Sequence, residues 1–213
     1  MKKSILLGLA IIIATVTFAQ NEKYLTAMKQ NIARIDSLMI KGNAAEIANN
    51  FSRIGDAEKD KWLPYYYAAF CKVTEAMTEQ DNSKKDALAD KASELLEKAE
   101  TILAKENSEI YVIKSMIATA HMTVDPQSRF MTYGAESAES IKKAKILDAT
   151  NPRPVLLEAQ NTFYTPETFG GGKEVAKPLF EKAKSLFEKF KPETDLSPVW
   201  GMSNVSYFLS QYK

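Results

Sequence analysis

Four stretches of this 213-residue chain share one plan, a helix-start signal followed by an apolar run. Pro64 precedes YYYAAFCKV, Glu109 precedes IYVIKSMIA, Pro154 precedes VLLEAQNTF and Pro198 precedes VWGMSNVSY. The openers stand 45, 45 and 44 residues apart. Upstream of the last three lie matching helix ends, Lys98-Ala99, Lys143-Ala144 and Lys182-Ala183. A fixed period of this size marks stacked helical hairpins. One hairpin cannot bury its apolar face alone, so neighbours must stack on it. Three of the openers are prolines, which suit the first helical turn because their missing N–H has no partner there anyway.

The pattern between openers predicts about nine helices. Leu25, Met28, Ile32, Ile35 and Met39 recur at helical spacing over residues 21–41. Gly42 ends that helix and Asn43 is placed to cap the next, which carries Ala44, Ile47, Phe51 and Ile54 and stops near Gly55. The third helix starts at Pro64, with Tyr66, Phe70, Val73 and Met77 as its stripe. Asp81-Asn82-Ser83 recaps the chain for a fourth helix through Leu88, Ala92, Leu95, Ala99 and Ile102, and Ser108 is expected to cap a fifth. The sixth opens at Asp125-Pro126, with Phe130, Gly134, Ala138 and Ile141 expected inward. A short seventh helix runs from Pro154 to Phe163. The eighth runs from Lys173 to Phe190, and Ser197-Pro198 opens a last, unpaired helix. No stretch alternates with a period of two, so no sheet is expected. The fold expected is all-α, a stack of antiparallel hairpins with a period near 45 residues.

Residues 1–19 read as a secretory signal peptide. Lys2 and Lys3 form the charged start, Ile5 to Phe18 the apolar run, and Ala19 the cleavage position. That leaves 20–213 as a single helical repeat domain, in the periplasm or secreted. Without Lys2 and Lys3, 26 basic residues face 27 acidic ones. Nucleic acid needs a basic face and is not an expected partner. Cys71 is the only cysteine and His121 the only histidine, so neither a disulfide within one chain nor a zinc set of cysteines and histidines is available. Cys71 reads as a small buried residue. His121 falls on the core side of the fifth helix and reads as a packed histidine bonded to backbone. No GxSxG or other nucleophilic set occurs, and neither catalysis, a cofactor nor a metal is expected.

Two features could bind. The loop TPETFGGGK follows Asn161 and Tyr164 and contains Glu167, Phe169, Gly170, Gly171, Gly172 and Lys173. Glycines before a helix N-terminus let backbone N–H groups approach an anion, with Lys173 beside them. It is not a P-loop, because Glu167 stands where the first glycine should be. The same residues also suit a purely structural turn. Tyr65, Tyr66 and Tyr67 are the second feature: spaced ~100° apart on a helix, they cannot all face the core. They are candidates for the aromatic lining of a groove.

The whole pattern resembles the tetratricopeptide class. It departs from that class in its period, since the tetratricopeptide unit is about 34 residues, and the Trp-Leu-Gly-Tyr signature is not intact. The segment NTFYTPETFGGGKEVAKPLF is similar to a stretch in exported tetratricopeptide-like proteins of bacteria. A looser resemblance is to tetratricopeptide-like subunits that accompany periplasmic solute-uptake systems. These resemblances imply an exported protein- or peptide-interaction module. The alternative they imply is a small-solute-binding subunit with its pocket near Gly170–Gly172.

Overall fold

The computed structural model describes residues 21–35 and 42–212. The expected leader, its cleavage position and Met39 lie outside them. Every regular element among the described residues is helical. We number them α1 (21–32), α2 (Ala44–Ala57), α3 (Leu63–Thr78), α4 (Asn82–Leu103), α5 (Ser108–Met122), α6 (Pro126–Arg129), α7 (Ala135–Leu147), α8 (Arg153–Tyr164), α9 (Lys173–Lys189) and α10 (Met202–Ser210). A π-helical turn, Phe130–Gly134, joins α6 to α7 as one rod, so the described residues form nine helical rods.

Neighbouring rods pair as hairpins: α3 with α4, α5 with α7, and α8 with α9. Successive hairpins stack through both helices, α3 and α4 on α5, and α5 and α7 on α8. That position explains the sequences of α3 and α5. A helix covered on all sides must be apolar nearly all round, and both are: eleven residues of α3 are buried, from Pro64 to Ala76. α9 covers the outside and is amphipathic, with Ala176, Phe180 and Ala183 buried. Each fully buried Ile or Phe contributes roughly 1.5–3 kcal/mol.

The period appears in space as a ladder of buried polar contacts. The Tyr66 hydroxyl donates to Glu109 Oε2 at 2.6 Å. Arg153 Nε donates to both Glu109 carboxylate oxygens, at 2.9 and 3.0 Å. Arg153 Nη2 donates to the Pro198 carbonyl at 2.7 Å. Asn151 Nδ2 adds a bond to Glu109 Oε1 at 2.6 Å. One residue at or within two positions of each opener thus links α3, α5, α8 and the C-terminal segment.

Several expected details are corrected. Asn43 sits at the start of α2 but its side chain makes no capping bond. Gly55 lies inside α2, where a side chain would strike the Tyr65 ring. Asn107, not Ser108, caps α5, because Ser108 Oγ is drawn to the Ala144 carbonyl. The face of the sixth rod is shifted: Ser137, Ile141 and Ala144 are buried, while Phe130 and Ala138 are exposed. The π turn Phe130–Gly134, wound more widely than an α-helix, shifts the phase of Ser137 and Ala138 behind it. Pro198 does not open a helix; α10 begins at Met202, after Gly201 at φ +120°.

That last segment is not a simple terminal cap. It runs back across the first repeats. Lys29 Nζ meets Asp195 Oδ2 at 2.6 Å, and the Tyr67 hydroxyl donates to the Leu196 carbonyl at 2.8 Å. Trp200 stacks on Phe70, centroids 4.4 Å apart, and its Nε1–H donates to the Tyr66 hydroxyl at 3.0 Å. Residues 195–200 therefore cover the surface that the tyrosines of α3 would otherwise present.

Candidate functional site

Tyr65, Tyr66 and Tyr67 are all buried and do not line an open groove. Tyr65 donates to Asp56 Oδ1 at 2.7 Å, and the other two are taken up by Glu109 and Leu196. The chain's own C-terminal segment covers Tyr66 and Tyr67, and Tyr65 packs against α2 beside Asp56 and Gly55.

The glycine loop is built as a turn. Gly170 N–H donates to the Glu167 carbonyl, Gly171 N–H to that of Pro166, and Gly172 N–H to that of Thr162. The three donors that an anion would need are consumed. The glycines are required by conformation and space. Gly170 and Gly172 have φ of +81° and +105°, and a Cβ on Gly171 would collide with the Thr165 and Thr162 carbonyl oxygens. Lys173 Nζ is docked on the Gln211 carbonyl and over the Tyr212 ring. Asn161 Nδ2 donates to Ser137 Oγ at 3.0 Å, and the Glu167 side chain lies against Gly172. Tyr164 and Phe169 remain exposed, at 72% and 78%. Tyr207, 61% exposed, lies with Tyr164 against Phe208.

A concavity lies elsewhere among the described residues. α4 and α7 stand apart over α5 and leave a cleft of about 400 Å³, within the ~300–1,000 Å³ usual for small-molecule sites. Leu96, Ile117 and Ala118 give it an apolar floor, and Tyr133 and His121 stand in its wall. Glu97, Glu100, Glu136 and Lys114 are its charged lining, with Lys114 paired to Glu100 at 2.7 Å.

His121 is held on three sides. Its Nδ1 lies 2.8 Å from Asp86 Oδ1. Arg129 grips the same carboxylate in a fork, 2.7 Å to Oδ1 and 2.8 Å to Oδ2. Tyr133 stacks on the imidazole with centroids 5.0 Å apart and planes at 20°. The Arg129 fork, and next the His121 bond, hold the Asp86 carboxyl below its ordinary pKa, against the opposing effect of burial. His121 Nε2 faces Asp90 Oδ1 at 3.6 Å, too far for a hydrogen bond. The expected backbone partner for His121 is therefore replaced by a carboxylate, from a helix 35 residues away in sequence. Spacing alone does not reveal this. The π turn carries both Tyr133 and the phase change that aims it at His121. A π turn inside an α-helical rod is frequently found at functional sites.

Cys71 is fully buried, as its sequence context predicts. Burial pushes its thiol well above the ordinary range, so it is an inert packing group. Among the described residues no group of three or more His, Cys, Asp or Glu could hold a metal ion, and no helix is long and apolar enough to cross a membrane.

No protein-family model and no curated protein sequence matches the chain. A solved structure does: the HusA haemophore from Porphyromonas gingivalis, 36% identical, with a TM-score of 0.78. The likeness covers 89% of this chain and 92% of that one. The chain belongs to the HusA haemophore family.

Proposed function

We propose that this protein is an exported, non-catalytic binding protein whose ligand is haem or a closely related tetrapyrrole. The observation that carries the reading is the 36% identity to a haemophore along almost the entire chain. The geometry supports a binder in two ways. The cleft over α5 is a concavity of ligand size, with Leu96, Ile117 and Ala118 set among polar and charged side chains. His121 also meets a carboxylate there, but Arg129 already neutralises that carboxylate and no serine or thiol nucleophile lines the cleft beside it apart from Ser93 and Ser140, neither of which bonds His121.

Titration of the purified protein with haemin tests this. We expect a saturable change in the Soret band, with quenching of Trp62 and Trp200 fluorescence, at one haem per chain and micromolar or tighter affinity. Absence of saturable binding, under conditions where a known haem carrier binds, overturns it.

A second reading is a protein-interaction module. The exposed Tyr164, Phe169 and Tyr207 favour it, since aromatics of this kind anchor protein contacts. The two readings are compatible, because a carrier must also hand its ligand on.

A further inference from the structure

We infer that the cleft between α4, α5 and α7 binds a small organic cation, an alkyl chain ending in primary ammonium groups. It would hold the ammonium ends on Glu97 and Glu136 and the stem on the apolar floor. This site stands apart from the tetrapyrrole reading, since its carboxylates repel a ligand that carries carboxylates of its own.

The lining holds three carboxylates, Glu97, Glu100 and Glu136, and one ammonium, Lys114. Lys114 is taken by Glu100, 2.7 Å away. Glu97 on the α4 wall and Glu136 on the α7 wall have no ion-pair partner among the described residues. No lysine or arginine stands three or four residues from either one, so neither can pair along its own helix. Carboxylates of the same two helices that do not line the cleft are paired, Glu94 with Lys91 and Glu139 with Lys142.

A second observation points to a donor. Asp86 accepts from Arg129 through both oxygens. An ionised carboxylate only accepts, so the proton between Asp86 and His121 sits on Nδ1. The neutral ring then keeps a bare acceptor at Nε2, on a residue that is 9% exposed and lines the cleft. The neighbour of Nε2 is another acceptor, Asp90 Oδ1 at 3.6 Å. Two acceptors at that distance repel unless a donor reaches between them, and an ammonium N–H serves both. The Ser93 and Ser140 hydroxyls, one on each wall, also lack a hydrogen-bond partner among the described residues. Leu96, Ile117 and Ala118 receive the methylene stem. Among the described residues no three ligating side chains converge to hold a bare metal ion instead.

The test is isothermal titration calorimetry of the purified protein with cadaverine at low ionic strength. We expect one cadaverine per chain, a Kd on the order of 0.1 mM, and an affinity that falls as salt rises. Neutral pentanediol and anionic glutarate do not bind. Glu97→Gln and Glu136→Gln each weaken cadaverine about threefold or more, as loss of an ion pair does, and the double variant loses the product of the two. Glu94→Gln and Glu139→Gln bind as wild type. All four positions are exposed, and circular dichroism confirms that each variant is folded. N-acetyl-lysine amide separates the two sources of an alkylammonium. Binding at least as tight as cadaverine assigns the cleft to a partner protein's lysine, and weaker binding assigns it to a free amine. The inference is overturned if cadaverine gives no saturable heat, if the double variant binds it as wild type does, or if the Glu94 and Glu139 variants lose as much. Haemin titration of the double variant, expected to match wild type, reads the tetrapyrrole proposal separately, so either can fail without the other.

Discussion

Arg153 is the residue on which the stack turns. It is fully buried, lies over the rings of Phe190 and Trp200, and bonds Glu109 and the Pro198 carbonyl. Removing one partner of a buried ion pair leaves the other charged and unpaired, at a cost of about 3–5 kcal/mol. We expect Arg153→Ala to lose that much in urea unfolding, and Arg153→Lys to recover little, since a single ammonium cannot reproduce the guanidinium fork. The tyrosines supply a second test at this scale. Burial pushes Tyr24 and Tyr65 up to about 12, and Tyr66 and Tyr67 further still. A phenol whose folded pKa exceeds its unfolded value of about 10 stabilises the fold fully below pH 10. That contribution is lost as pH rises through the folded values. Ultraviolet titration is therefore expected to show these four tyrosines silent near pH 11, ionising together with unfolding above pH 12. Early ionisation of all nine tyrosines would contradict the burial pattern.

The glycine loop and the π turn show how an element can look functional for structural reasons, and the reverse. Three consecutive glycines before a helix resemble an anion cradle, but each N–H already has a carbonyl partner. Gly171→Ala forces a methyl group to within 2.7 Å of the Thr162 carbonyl oxygen. We expect it to cost about 1–3 kcal/mol, as overpacking does, while haem affinity per folded molecule stays unchanged. A loss of affinity without loss of stability would return the site to the loop. The π turn has no such conspicuous composition. FMTYG carries no proline and no unusual spacing, yet it sets the phase of α7 and places Tyr133 on His121.

Across the whole molecule, the decisive feature is the return of the C-terminal segment. Open repeat arrays contact only their neighbours; this one joins its last repeat to its first. Contacts between Lys29 and Asp195, Tyr67 and Leu196, and Tyr66 and Trp200 span 129 to 166 residues of sequence. Unfolding is therefore expected to be a single cooperative transition. Trp200→Ala removes the ring stacked on Phe70 and the donor to Tyr66, a change worth about 3–5 kcal/mol. Differential scanning calorimetry should show the whole transition moving down together. A new low-temperature transition, with the rest unmoved, would mean that the segment is only an appended cap.

The sequence by itself determined the helical class, the hairpin stack and its period. These follow from the spacing of apolar residues and from prolines and caps, all of which act within a few turns of chain. The buried state of Cys71 and the capping by Asp81, whose side chain accepts from Lys84 N–H, were legible for the same reason. Which tyrosines would be covered was not, because the covering segment lies well over a hundred residues away. Nor was the Asp86–His121–Arg129 cluster, whose members come from three rods and carry no shared motif. Only the tertiary structure decided where the cleft opens. A cleft exists where two helices fail to meet over a third, and that depends on the packing of all three at once.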